Sequence, residues 1–237
     1  MSISTKSQNP LENHLLAALP EEVYKHLLPH LEPVTFSLGE VVYESGGQMT
    51  HIYFPTSSII SLLYLMTNGA TAEIGVVGYE GVVGIALFLG GNTTPNRAVV
   101  QSAGNAYKMT AQALRTEFER GGDMQLLLLR YTQALFTQIS QTAVCNRLHT
   151  VEQQLCRWLL LSHDRLRSDE LVMTQDLISN MLGVRREGVT VAAQQLKAKG
   201  LITYVRGTIM LVDRAGLEAA VCECYRVVKT EYDRLLG

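Results

Sequence analysis

No run of about 18 apolar residues, the least that spans a bilayer as a helix, occurs in this chain of 237 residues. The longest apolar stretch, Gly81–Gly91, is broken by glycines, so a helical membrane protein is excluded. Cysteine is scarce: Cys145, Cys156, Cys222 and Cys224 lack CxxC spacing and indicate no disulfide framework. An excess of positive charge is missing too. With 20 Lys+Arg against 22 Asp+Glu the net charge is −2, which excludes a generally basic nucleic-acid coat protein. The signatures Gx4GK[ST], HExxH and GxSxG are absent, as is a clustered acid pair, so no enzyme is expected. The first residues, MSISTKSQNP, contain no apolar run after Lys6 and do not form a secretory signal. A cytoplasmic, reduced protein is expected. Nothing repeats at a fixed period, which rules out a solenoid.

The charge that is present is unevenly spread. Residues 1–146 carry 7 Lys+Arg and 11 Asp+Glu, whereas 147–214 carry 10 and 7. Such asymmetry points to a nucleic-acid-binding module on a chain with a second job.

Residues 1–10 read as a disordered tail and 11–31 as helical, with Pro20 opening a second short helix. From Pro33 to about Thr110 short β-rich runs alternate with turn signals: Val41–Tyr43, His51–Phe54, Ile59–Met66, Thr71–Val77, Ala98–Gln101 and Ala106–Met109. Asn68-Gly69 reads as a two-residue type I′ turn. Strands at this spacing predict an antiparallel sandwich or barrel. Gly121-Gly122 then leads into a helix over 123–146, about 36 Å long. Leu128, Tyr131, Leu135, Ile139 and Thr142 share one face at near-heptad spacing. That stripe suits a homodimer seam; the competing reading is a helix lying on its own β-domain. Val151, Leu155, Trp158 and Leu159 mark a further amphipathic helix.

The segment Met173–Asp213 is the most specific in the chain. Leu177, Ile178, Met181 and Leu182 form the apolar stripe of a short helix, and Gly183 ends it. A second helix runs through Val189, Ala192, Ala193 and Leu196, and Gly200 closes it ahead of a β-hairpin. Two helices joined by so short a turn make a helix-turn-helix, whose second helix enters the DNA major groove.

The order of these parts, with TQDLISNMLGVRREGV, LKAKGLI and RGTIMLVD near the C-terminus, resembles the Crp/Fnr superfamily of bacterial transcription regulators. The resemblance implies an α+β fold in four parts: the tail 1–10, a cyclic-nucleotide-binding-like, jelly-roll-like β-barrel over 11–122, a dimerisation helix over 123–146, and a winged helix-turn-helix over 147–237. It implies double-stranded DNA with a roughly palindromic operator, a second copy of the chain and RNA polymerase as partners, and no membrane. Arg186 and Glu187 occupy the base-reading positions, since Arg can bond guanine O6 and N7 and Glu can accept from cytosine N4. Thr174, Gln175, Arg185, Thr190 and Arg206 are expected as further DNA contacts. Arg185 stands where the family carries a small hydroxyl cap, and Val191 where many members carry another Arg. An operator unlike that of the best-known members is therefore expected.

The same resemblance places an effector pocket at Gly84, Ile85, Arg97 and Ala98. Ile85 stands at the carboxylate position, and Arg97 comes one residue late, with no hydroxyl between it and Ala98. Cyclic AMP or GMP is not expected. A less charged effector in an apolar pocket shaped by Gly78, Gly81 and Gly84 remains open, as does no effector at all. Glu80 reads as a solvated turn residue, the alternative being a replacement carboxylate. No cysteine precedes Cys145, so the N-terminal iron–sulphur set of some members is lacking. His51 and His149 are the haem-ligand candidates, and the cofactor stays unknown. Cys222 and Cys224, read at helical spacing, point to different faces and are assigned to packing, with a redox switch as the alternative.

Overall fold

The computed structural model describes residues 9–166 and 170–237. Of the expected tail, residues 1–8 lie outside the described residues, and Pro10 already opens a 3₁₀ turn capped by Asn9. Two short helices follow, α1 (His14–Ala17) and α2 (Glu21–Leu27), with Pro20 at the cap of the second. Buried Asn13 caps α1 with its Oδ1, while its Nδ2 donates to the carbonyls of Pro55 and Gly81. One side chain thus ties the first helix to the end of the strand His51–Pro55 and to the loop at Gly81.

Seven strands make two antiparallel sheets. One has the order β1 (Glu32–Phe36), β7 (Gly104–Thr110), β3 (His51–Pro55). The other runs β2 (Val41–Tyr43), β6 (Arg97–Ser102), β4 (Ile59–Leu65), β5 (Thr71–Val77). Between them lies an apolar core that includes Ile52, Phe54, Ile60, Val76, Ala98, Val100 and Met109. Sequence periodicity misses β1, because Pro33 cannot donate to a ladder; as an edge strand, β1 tolerates it. The expected turn type at Asn68-Gly69 is corrected. Only Gly69 takes a positive φ (84°), and its N–H bonds Met66 O at 2.9 Å, while Asn68 Oδ1 accepts from Ala70 N–H. This is a wider loop with a left-handed Gly, in which Asn68 acts through its side chain.

Helix α3 (Ala111–Glu119) leads to α4 (Asp123–Leu148), 26 residues long, and α5 (Val151–His163) follows behind a capping box of Thr150 and Gln153. The remaining elements are β8 (Glu170–Val172), α6 (Gln175–Leu182), α7 (Arg186–Ala198), β9 (Ile202–Val205), β10 (Thr208–Leu211), α8 (Arg214–Ala220) and α9 (Glu223–Leu236). Expected as part of the DNA-binding head, α9 packs along α4 and also touches α5, where the Tyr225 hydroxyl donates to Asp164.

That packing corrects the reading of the α4 stripe. Leu128, Tyr131, Leu135 and Thr142 are buried within the chain, and Ile139 is half-buried beside Gly75 of β5. Periodicity reveals that an apolar face exists but not what covers it, and here β5 and α9 do. Gln138, on the same face, accepts from Val76 N–H at 2.7 Å and donates to Val76 O and the Tyr232 hydroxyl. It satisfies the unpaired ladder edge of β5, buried here, with a side chain. The apolar side chains that α4 leaves in solvent are Leu126, Leu129, Phe136, Val144 and Leu148, with Phe136 69% exposed.

Candidate nucleic-acid interface

The head is held to the four-stranded sheet by buried polar contacts. Trp158 Nε1 donates to Glu73 Oε1 at 3.0 Å, and the Ser61 hydroxyl reaches Gln101, whose amide donates to Ser162. Burial pushes the Glu73 carboxyl up to about 7, against the opposing pull of the Ser61 hydroxyl, the Arg157 cation and the Trp158 N–H. Thr71 Oγ1 donates to Asn180 O, and Gly183 lies against Ala72. The turn between α6 and α7 therefore rests on the β4–β5 hairpin.

Thr174 caps α6, its hydroxyl accepting from Leu177 N–H, and Gly183 ends that helix in the left-handed region at φ 65°. Val184 and Arg185 complete a three-residue turn. No side chain caps α7, as the Arg185 substitution predicts. Val189, Ala192, Ala193 and Leu196 bury one face of α7 against α5 and α6. Arg185, Arg186, Glu187 and Val191 stand out on the opposite, exposed side. Gln175 Oε1 accepts from the Thr190 hydroxyl at 2.9 Å, which links the start of α6 to the second turn of α7. These predicted residues thus form one surface, though Gln175 and Thr190 spend part of their bonding on each other.

One contact on this surface escaped the sequence reading. Arg186 Nη1 lies 3.3 Å from Asp176 Oδ1, with both side chains more than half exposed. Such a pair contributes about 0–1 kcal/mol, so it restrains Arg186 only weakly. Lys199, in contrast, is drawn onto α5 by Glu152 at 2.5 Å.

The wing is three-stranded, in the order β8-β10-β9; β8 is too short to show any periodicity. Its tip is Arg206-Gly207, between paired Val205 and Thr208, with φ values of 50° and 83°. This two-residue loop has the positive φ values of a type I′ turn. Arg206 is the only non-glycine with positive φ among the described residues. An Arg rarely adopts that conformation, and here it places a cation at the exposed tip.

The expected effector residues do not assemble into an anion site. Gly84 (φ 109°) caps a 3₁₀ turn over Ile85–Leu87, and Ala98 is fully buried in the core. Arg97 pairs with Glu44 at 3.1 Å. The cavity beside Gly84 and Ile85 measures about 80 Å³, lined also by Tyr43, Asn96, Leu135 and Ile139. The pocket expected at Gly78 and Gly81 is filled by the chain itself. A Cβ on Gly78 would meet Arg165 at 2.7 Å, and one on Gly81 would meet Tyr131 at 2.6 Å. These glycines admit large side chains rather than a ligand. Nor is Glu80 solvated: it accepts from Arg165 Nε at 2.6 Å. His51 Nδ1 is 2.8 Å from the Thr50 hydroxyl, while His149 lies among three cysteines. Cys222 caps α9 with extended backbone and so sits outside the helix, which turns its sulphur and that of Cys224 toward one cluster and corrects their assignment to different faces.

Two family models match the chain: a Crp-like helix-turn-helix domain over residues 153–220 and a cyclic nucleotide-binding domain over residues 33–120. No curated protein matches it by sequence. Among solved structures, FixK2 from Bradyrhizobium japonicum superposes with a TM-score of 0.70 at 16% identity, over 81% of this chain and 98% of that one. The c-di-GMP-responsive global regulator CLP of Xanthomonas campestris gives 0.63 at 15% identity, over 81% and 99%. A Crp-family transcriptional regulator from Thermus thermophilus gives 0.65 at 17%, over 78% and 95%. At these identities the likeness is one of fold. Among the described residues, no helix is long and apolar enough to cross a membrane.

Proposed function

Because the chain is a Crp/Fnr family transcription regulator, we propose that it acts as a homodimer that sets α7 of each protomer into successive major grooves of a roughly palindromic operator. The observation that carries this reading is the exposed surface of Arg185, Arg186, Glu187 and the Arg206 wing tip around one helix. Arg186 and Glu187 read base edges, Arg185 and Arg206 contact phosphates, and Thr174 and Gln175 approach the backbone at the start of α6. The partner copy packs on the solvent side of α4, through Leu126, Leu129, Phe136, Val144 and Leu148, since these are the large apolar side chains that the helix leaves uncovered. RNA polymerase is a further partner, as for regulators of this kind.

The signal is not a cyclic nucleotide in this reading. Ile85 cannot accept from a ribose hydroxyl, Arg97 is engaged by Glu44, and about 80 Å³ is small beside the roughly 300–1,000 Å³ of typical ligand pockets. Leu135 and Ile139 of α4 line this cavity, so a small apolar occupant there would bear directly on the helix. The β4–β5 hairpin touches both α4 and the α6–α7 turn, which offers a physical link from barrel to head. Any such signal must bind the two dimer arrangements unequally.

Operator selection from random duplex DNA, followed by binding to wild type and Arg186→Ala, tests the assignment. The variant is expected to lose about 1–3 kcal/mol and its preference at one base pair per half-site. Equal binding of both proteins removes Arg186 from the reading role. Calorimetry with cyclic AMP and cyclic GMP is expected to show no heat of binding; a micromolar site would restore the cyclic-nucleotide alternative.

A further inference from the structure

Three of the four cysteines converge with one histidine, from parts of the chain more than 70 residues apart. Cys145 lies in the last turn of α4 and His149 four residues on, at the helix cap, so both face the same side. Cys222 caps α9 and Cys224 occupies its first turn. The four potential ligand atoms all lie within 4.8 Å of one another. Cys145 Sγ is 3.6 Å from Cys222 Sγ, and Cys224 Sγ is 3.6 Å from His149 Nδ1. We propose that Cys145, His149, Cys222 and Cys224 bind one tetrahedral divalent metal ion of the zinc type, clamping the start of α9 to the end of α4.

The distances fit a single ion. A tetrahedron with metal–sulphur bonds of about 2.3 Å and a metal–nitrogen bond of about 2.1 Å has S–S edges of about 3.8 Å and S–N edges of about 3.6 Å. The set needs only a small contraction at its widest separation to close. An iron–sulphur cluster would place its ligands around a larger body, further apart than these atoms stand. The donors are soft, which favours zinc over calcium or magnesium. Four protein ligands leave no open position, so the role is structural.

The surroundings match as well. His149 Nε2, on the far side of the ring, lies 3.4 Å from Glu223 Oε2, the carboxylate partner that orients a metal-bound imidazole. Gln154 Nε2 donates to His149 O and holds the turn that carries the ring. Each cysteine binds as a thiolate and the histidine as a neutral imidazole, so the dication and its four ligands carry a net charge of −1. Buried Arg157 stands next to Cys145 and offsets that charge; its Nη1 donates to Thr142, and its Nε has no partner among the described residues. The fourth cysteine, Cys156, belongs to the main apolar core and takes no part. The competing chemistry is a Cys145–Cys222 disulfide, which would have to close to about 2.0 Å and would leave Cys224 and His149 without a role.

Cobalt(II) titration of the full-length, reduced, chelator-treated chain tests the site. The expected result is the visible d–d and thiolate charge-transfer absorption of a tetrahedral ion, saturating at one equivalent and bleached by zinc. Cys222→Ser and His149→Ala are expected to weaken cobalt binding at least tenfold, and Cys156→Ser to leave it unchanged. Zinc is expected to raise the thermal midpoint of wild type but not of Cys222→Ser. Native mass spectrometry of untreated wild type needs neither variant nor chelation, and is expected to show one retained zinc per chain. A chain that takes up no cobalt and carries no metal overturns the proposal. So does saturation that persists in Cys222→Ser and Cys224→Ser together, or a retained iron–sulphur cluster.

Discussion

Glu80 Oε1 and Arg165 Nε meet at 2.6 Å between a barrel loop and the end of α5, with both side chains largely removed from solvent. The same guanidinium donates to Leu161 O and lies 5.6 Å over the ring of Tyr232 in α9. Barrel, head and C-terminal helix are therefore joined at one cation. Removing one member of a buried pair strands the other, at about 3–5 kcal/mol. Arg165→Met is expected to cost that much in urea unfolding. A loss under 1 kcal/mol would mean that water already screens the pair.

Glu73 makes stability depend on pH. Its carboxyl is raised by burial from an ordinary 4.5 to about 7, so the neutral form is the one the fold favours. That contribution is fully present below about pH 4.5 and is lost as pH rises through about 7. Glu73→Gln stays neutral throughout. Its stability relative to wild type is expected to rise across that window, by on the order of 3 kcal/mol. Denaturant curves at several pH values check this, and a constant difference would show that Glu73 is buried charged.

The two faces of α4 give opposite results when a charge is introduced. Phe136 is solvent-exposed, whereas Leu135 is 1% exposed in the chain's own core. Phe136→Glu is expected to leave the fold intact and halve the mass seen by light scattering. Leu135→Glu is expected to unfold the chain, at several kcal/mol for a buried unpaired charge. A Phe136→Glu protein that keeps the mass of a dimer would move the interface elsewhere.

Arg206 separates charge from conformation at the wing tip. Arg206→Asn keeps a residue that tolerates φ near 50° but removes the cation. Folding stability is expected to stay within about 0.5 kcal/mol. The slope of log affinity against log salt is expected to fall by about 1, uniformly across operator variants. An unchanged slope would place Arg206 away from the phosphates.

The helix-turn-helix was legible because its signals are local. Gly183 is the left-handed stop, Arg185 fails to cap, and Val189, Ala192, Ala193 and Leu196 form one stripe; each depends on neighbours within a turn or two. The six expected strands were legible for the same reason, while Pro33 concealed β1. What covers each surface could not be read this way. The α4 stripe matched a dimer seam equally well as β5 and α9, and Gly78 and Gly81 suited a pocket until Arg165 and Tyr131 filled the space.

The amino-acid sequence by itself determined the order of the modules, the start and stop of α6 and α7, and the chemistry of the Arg186-Glu187 surface. Helical and strand periods and backbone preferences act over a few residues, so they survive without knowledge of the partner element. Tertiary structure alone decided which apolar face stays exposed, which cations are paired, and that Cys145 and His149 meet Cys222 and Cys224 across more than 70 residues. Those outcomes depend on α9 returning to α4, a long-range packing choice that no local pattern encodes.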